Sequence, residues 1–153
     1  MRPRRKLKSV KELLEEVPDD KRKLFENLRG KVMALPGVIE KVDYDEYDDS
    51  QSPAYYLAEH EIFHVHITFQ KIGGTVPLDS RTLIPQVLTL PGLAPLTLEK
   101  IRNAKDYRGT KWASVPLKSL DEVNELVRII QLKYEWVKKT KNPTMPLDAF
   151  RKP

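Results

Sequence analysis

The amino-acid sequence predicts a two-layer α+β domain, in which an antiparallel sheet has its helices packed on one face. Two apolar stripes with helical spacing, one near each end of the chain, enclose several short runs with strand character. No helical pattern separates the runs between residues 38 and 78, so those strands are expected to pair in antiparallel fashion. We therefore expect one domain over residues 9–139, with a basic arm at 1–8 and a basic, proline-containing tail at 140–153.

The first part of the chain carries two helix-start signals. Ser9 followed by Glu12 fits a capping box and predicts a short helix. Asp19 or Asp20 is expected to cap a second helix, whose apolar residues recur at spacings of one, three and four. The dipeptide Pro36-Gly37 should end that helix.

Four runs in the middle of the chain have strand character: Val38–Tyr47, Ala54–Glu59, Ile62–Gln70 and Thr75–Leu78. The alternation of apolar and polar residues is clearest in the third run. The dipeptide Gly73-Gly74 is expected to form the turn that leads into the fourth.

The last third predicts a loop, a strand and a long helix. Residues 79–98 contain three prolines and should form a loop with at most one helical turn. A short helix is expected over 97–104 and a strand over Lys111–Leu117. Ser119 starts a second capping-box pattern, and the apolar stripe after it predicts a helix that runs to about Lys139.

The net charge of +5 is concentrated at the two ends of the chain. Residues 1–8 contain five basic and no acidic residues, and residues 138–153 contain five basic residues and one acidic residue. The remaining body has 17 basic and 21 acidic residues. Basic arms of this kind contact phosphates or acidic surfaces. An anionic partner, either nucleic acid or an acidic protein, is therefore predicted to contact the arm through Arg2, Arg4, Arg5 and Lys6.

One basic patch lies within the body, and two aromatic residues, Tyr107 and Trp112, interleave with it. Cations together with aromatic rings can bind phosphates and stack on nucleobases. The alternative is that both rings are anchors packed into the sheet. The cations of the patch are Lys100, Arg102, Lys105, Arg108 and Lys111.

Four segments resemble small bacterial domains grouped around YdhG and YjbR. They are the helix Leu24–Arg29, the strand Phe63–Ile67, the segment Asp106–Trp112 and the helix start Ser119–Val123. The resemblance implies a two-layer domain of α-helices and β-strands. These families have no agreed function and carry labels such as predicted transport protein, so no catalytic residue is carried over.

Two histidines form a metal-site hypothesis that the sequence supports. An unbroken strand would place His60, His64 and His66 on one face, with His64 and His66 about 7 Å apart. The His-x-His pair, His64 and His66, can then converge on one divalent metal ion. The protein would in that case be a metal-binding protein or a metal-dependent enzyme. The alternative is a polar sheet face without a ligand.

The remaining features mainly exclude functions. The chain has no cysteine, which excludes disulfides, thiolate catalysis and cysteine-ligated zinc. The GxSxG, P-loop, GxGxxG and HExxH motifs are also missing. No apolar run approaches the roughly 20 residues of a membrane helix, and the expectation is a cytoplasmic protein with no membrane partner.

We therefore expect a non-catalytic binding module without a cofactor. A third hypothesis is a small-molecule sensor, with a pocket between the sheet and loop 79–98 lined by Tyr55 and Tyr56.

Overall fold

A computed structural model describes residues 6–46, 49–68 and 71–141 of the chain. The described residues form one six-stranded antiparallel sheet and five helices. This architecture confirms the α+β class predicted from the sequence.

The helices are α1 (Val10–Leu13), α2 (Asp19–Met33), α3 (Ile84–Val87), α4 (Pro95–Asn103) and α5 (Leu120–Thr140). The strands are β1 (Val38–Asp45), β2 (Ser50–Leu57), β3 (His60–Ile67), β4 (Ile72–Asp79), β5 (Asp106–Tyr107) and β6 (Thr110–Pro116). The strand order in the sheet is β1-β2-β3-β4-β6-β5.

The core lies between the sheet and the layer formed by α2 and α5. Val65 of β3 pairs with Gly74 of β4, which in turn pairs with Val115 of β6. Gly74 lies directly beneath Leu126 of α5, so this row of residues faces the helices. The α2 side chains that close the same core are Phe25, Leu28 and Val32.

The structure confirms the capping prediction at Ser9 and corrects those at Asp19 or Asp20 and at Ser119, which is the N-cap residue of α5 but makes no side-chain capping hydrogen bond. The Ser9 side chain accepts a hydrogen bond from the Glu12 backbone N–H, and the Glu12 carboxylate accepts one from the Ser9 backbone N–H. In α2, however, Pro18 is the N-cap residue, and Asp19 and Asp20 lie within the first turn. At these positions their negative charges interact favourably with the helix dipole, but their side chains do not cap a backbone N–H.

The prediction of a turn at Gly73-Gly74 is wrong, because both residues lie inside β4. Chain reversal occurs earlier, where the Thr68 backbone N–H donates to the Lys71 carbonyl oxygen. The two glycines face opposite sides of the sheet. Gly74 allows α5 to approach, and Gly73 lies on the other face.

The hairpin of β5 and β6 was not predicted. Tyr107 pairs with Thr110, and the two residues between them have positive φ, 54° at Arg108 and 91° at Gly109. Two consecutive residues in this conformation form the type I′ turn that favours two-residue hairpins.

Candidate functional site

We define the outer face as the side of the sheet that points away from α5. The predicted site residues that the structure brings close together lie on this face. Residues paired directly across neighbouring strands have their side chains on the same face. His64 of β3 pairs with Thr75 of β4, and Thr75 pairs with Ser114 of β6. This row alternates with the row of Val65 and Gly74 that lies under the helices.

An open groove of about 440 Å³ crosses the outer face from β3 to β6. It is lined by His66 and Trp112 and by three small residues, Gly73, Thr75 and Ser114. The hydroxyl oxygens of Thr75 and Ser114 are 3.0 Å apart, and each can also bond to a ligand. The groove exists because these small residues leave space that larger side chains would fill.

Two lysines line this groove, Lys71 before β4 and Lys100 on α4. None of the described lining residues carries a carboxylate. The groove is therefore cationic, although the body of the chain between its two basic ends has more acidic than basic residues.

Trp112 and Tyr107 are unusually exposed for large aromatic residues. Trp112 is 47% exposed and Tyr107 is 61% exposed. Tyr107 pairs with Thr110, two residues before Trp112 on the same strand, so both rings lie on the outer face. The Nζ atom of Lys105 lies 5.4 Å from the centroid of the Tyr107 ring. The outer face therefore presents an aromatic surface with cations beside it.

The structure divides the predicted basic patch. Lys100 and Lys105 lie beside the aromatic residues of the outer face. Arg108 is exposed at the tip of the hairpin turn. Lys111 pairs with buried Leu78 and points to the opposite face, where its ammonium donates to the Arg102 carbonyl oxygen at 2.9 Å. Lys111 therefore attaches the hairpin to α4 and does not face the groove.

The two predicted metal ligands are in direct contact on the outer face. The Nε2 atoms of His64 and His66 are 2.9 Å apart. The Nδ1 atom of His64 lies 3.2 Å from an oxygen of the Glu61 carboxylate. Among the described residues, no group of three or more His, Cys, Asp or Glu side chains could hold a metal ion.

A bulge in the sheet explains why Glu61 contacts His64 and why the expectation that all three histidines share one face is wrong. Tyr55 pairs with Phe63, but Tyr56 pairs with Glu61, so β3 contains one extra residue at this point. Glu61 therefore lies on the outer face. His60 pairs with buried Leu57 instead, and burial together with the charges of two lysines on or next to α5 lowers its pKa.

The two tyrosines of the predicted small-molecule pocket lie on opposite faces. Tyr55 is fully buried on the helix side, stacked on Phe63 with ring centroids 4.6 Å apart. Tyr56 lies on the outer face, where its hydroxyl donates to the Asp43 carboxylate. Burial and this hydrogen bond raise the pKa of Tyr56. Neither tyrosine lines the groove.

The basic ends are only partly described. Lys6 is exposed, and its carbonyl oxygen accepts a hydrogen bond from the side chain of Gln51 in β2. Arg2, Arg4 and Arg5 lie outside the described residues, as does most of the tail. The prediction that the arms contact an anionic partner therefore stays a prediction.

No family model matches the chain, and neither a curated protein nor a solved structure is significantly similar to it. The resemblance to the YdhG and YjbR domains stays a prediction. Within the described part of the chain, the helices lack the combined length and apolar character needed to cross a membrane.

Three residues of the outer face are not apparent from the sequence. Lys71 escapes notice because it is 29 residues before Lys100 and joins it only through the folding of the sheet. Gly73 has the sequence context of a turn. In a regular strand, Glu61 would lie on the face opposite His64. The sequence around Glu61 gives no sign of the bulge that changes its face.

Proposed function

We propose that the protein binds single-stranded nucleic acid along the outer face of its sheet. The observation that carries this proposal is the exposed Trp112 ring beside a groove with two lysines and no acidic lining residue among those described. Base stacking on exposed aromatic residues is how many proteins hold single strands without reading their sequence.

The charges favour an anion in the groove. Lys71 and Lys100 contribute two positive charges to the lining. A phosphate near them would meet no described carboxylate within the groove. Counterion release from the phosphates would supply affinity that falls as salt concentration rises.

The aromatic residues favour a nucleobase over a simple inorganic anion. Trp112 and Tyr107 occupy diagonal positions on neighbouring strands, and side chains in such positions are about 7–8 Å apart. Two successive bases of an unpaired strand can therefore each stack on one ring. The hydroxyls of Thr75 and Ser114 offer donors and acceptors for a base edge.

The basic arms would add affinity without selectivity. Residues 1–8 carry five positive charges, which suits contact with phosphates beyond the groove. In this proposal the arms raise the affinity for any nucleic acid, whereas the groove creates the preference for unpaired strands.

The test is fluorescence anisotropy of a labelled single-stranded oligonucleotide of about 12 nucleotides, a length within the usual site sizes. We expect saturable binding that weakens roughly tenfold in a Lys71→Ala/Lys100→Ala variant, because two cations can no longer bind phosphates. The matched control is Lys11→Ala/Lys23→Ala, which removes the same charge from exposed positions in α1 and α2.

Equal weakening by both double variants would contradict the proposal, because it would show that only total charge matters. Two further ligands separate the alternatives. A duplex of the same length should bind less tightly than the single strand. A mononucleotide that binds as tightly as the oligonucleotide would instead support a small-molecule pocket. Deletion of residues 1–8 should weaken single-strand and duplex binding by the same factor.

A further inference from the structure

We propose that His64 and His66 form a two-imidazole site for a divalent transition-metal ion, with Cu²⁺ bound most tightly. The site rests on the contact between the two rings and does not depend on nucleic-acid binding. It would be a solvent-open site on the outer face, with water completing the coordination shell.

The separation of the two ring nitrogens suits a chelate. The two Nε2 atoms are 2.9 Å apart, so rotation of the two rings can direct both lone pairs at one metal ion. A metal ion about 2.0–2.1 Å from each nitrogen would have an N–metal–N angle of about 90° at this separation. That angle suits the square-planar or tetragonal coordination of Cu²⁺ and Ni²⁺.

Glu61 favours the required tautomer of His64. An ionised carboxylate only accepts hydrogen bonds, so the Nδ1 atom of His64 donates the hydrogen across the 3.2 Å contact. This leaves the lone pair of His64 Nε2 directed at His66. In the metal-free pair, His66 Nε2 must then be the donor in the 2.9 Å contact. The metal ion would replace that hydrogen, and the proton of His66 would move to its own Nδ1 atom.

The carboxylate–histidine contact is also a common supporting arrangement at metal centres. Ligating histidines usually donate their second ring N–H to a carboxylate or carbonyl group. Glu61 is placed for this role by the bulge in β3, since the side chain would otherwise lie on the helix side. Glu61 is thus a positioning residue and not a ligand in this proposal.

The backbone holds both ligands in place before the metal arrives. His64 is paired on both sides, with Ala54 of β2 and Thr75 of β4, and His66 is paired with Gly73. Binding would therefore require little ordering of the chain. With only two protein ligands among the described residues, affinity should follow the Irving–Williams order and be highest for Cu²⁺.

The test is a titration of protein without a histidine tag, using Cu²⁺ and electron paramagnetic resonance. We expect one equivalent to give a spectrum with coupling to two nitrogen nuclei. His64→Ala and His66→Ala should each remove that signature. The matched control is His60→Ala, because His60 lies on the same strand but on the other face. His64→Asn serves as the second variant if the alanine variant does not fold.

Glu61→Gln separates a supported site from a chance pair of histidines. It keeps the size of the side chain but removes the carboxylate, and we expect a 10- to 100-fold loss of Cu²⁺ affinity. An unchanged spectrum in the His64→Ala/His66→Ala double variant would overturn the proposal. Loss of the spectrum in His60→Ala, with its fold intact by circular dichroism, would also overturn it.

Discussion

Gly74 of β4 lies so close to Leu126 of α5 that a methyl group at Gly74 would come within 2.3 Å of the Leu126 Cδ2 atom. Its neighbour Gly73 faces the other way, where a methyl group would lie 3.5 Å from its nearest neighbour, the Val115 carbonyl oxygen. Substitutions at these two successive residues therefore test the packing on the two faces of the sheet separately.

The first prediction concerns these two glycines. Gly74→Ala should lower the free energy of unfolding by about 1–3 kcal/mol, because the core between β4 and α5 must move to admit the methyl group. Gly73→Ala is the matched control and should change it by less than about 0.5 kcal/mol. Urea denaturation measures both. Equal effects would show that α5 does not pack on Gly74 as described.

The second prediction concerns Lys133, which is only 7% exposed in α5. Burial lowers its pKa from the ordinary value of 10.5 to about 8, although the nearby Glu61 and Asp79 carboxylates oppose the shift. The folded state therefore bears a cost for the charged form below pH 8, of order 3 kcal/mol. That cost disappears as the pH rises from 8 to 10.5, because the unfolded chain then holds more protons on this group.

Lys133→Met removes the charge and keeps most of the side-chain volume. We expect the variant to be more stable than the wild type at pH 7, even though it no longer has an ammonium group against the Trp136 ring. Its advantage should shrink between pH 8 and 10. Chemical denaturation at several pH values measures the difference, and an advantage that does not change with pH would contradict the depressed pKa.

The third prediction concerns the Glu40 carboxylate, which accepts hydrogen bonds from Arg29 at 2.7 and 2.9 Å and from the Tyr55 hydroxyl at 2.8 Å. Burial opposes ionisation of Glu40, but these hydrogen bonds outweigh it and lower its pKa. The carboxylate therefore stabilises the fold above the ordinary glutamate pKa. This contribution is lost as the pH falls through the lowered pKa.

Glu40→Gln should cost about 1–3 kcal/mol of unfolding free energy at pH 7. The difference from the wild type should narrow as the pH falls through the lowered pKa of Glu40, because the wild-type carboxyl then protonates. Exposed Glu59 provides the control, since Glu59→Gln should be nearly neutral. A gap between Glu40→Gln and wild type that stays constant down to pH 2 would refute the proposed role of the ionised carboxylate.

The fourth prediction concerns the salt dependence of oligonucleotide binding. Removing one cation that binds a phosphate of a single strand should reduce the slope of log K against log salt by about 0.7. Lys100→Ala should show this reduction, because Lys100 lines the groove. Lys23→Ala on α2 should leave the slope unchanged. If both variants lower the slope equally, the binding of phosphate in the groove is not specific.

The predictable part of the fold depends on patterns within single segments. The capping box at Ser9, the stripe of α2 and the stripe of α5 are local, and each of these helices lies where its pattern indicates. Local patterns fail where one residue changes the pairing of two strands. The extra residue in β3 reverses the faces of His60 and Glu61, and no residue type in that segment marks the position of the bulge.

The candidate site was predictable in the same limited sense. The interleaving of Trp112 and Tyr107 with basic residues predicts a candidate surface in this segment, because those residues are neighbours in sequence. The groove itself joins β3, β4, β6 and α4, so its lining depends on strand order. The prediction of a turn at Gly73 has a different, local cause, since two successive glycines are more typical of a turn than of a central strand.

Stacking on Trp112 is the central claim, and single-tryptophan fluorescence tests it most directly. The chain has two tryptophans, and Trp136→Phe leaves Trp112 as the sole indole. The Trp136 side chain contacts Thr82 and lies away from the groove, so this change should preserve binding. We predict that a single-stranded oligonucleotide quenches Trp112 fluorescence in proportion to occupancy measured by anisotropy. Binding at full occupancy with unchanged Trp112 emission would contradict the account.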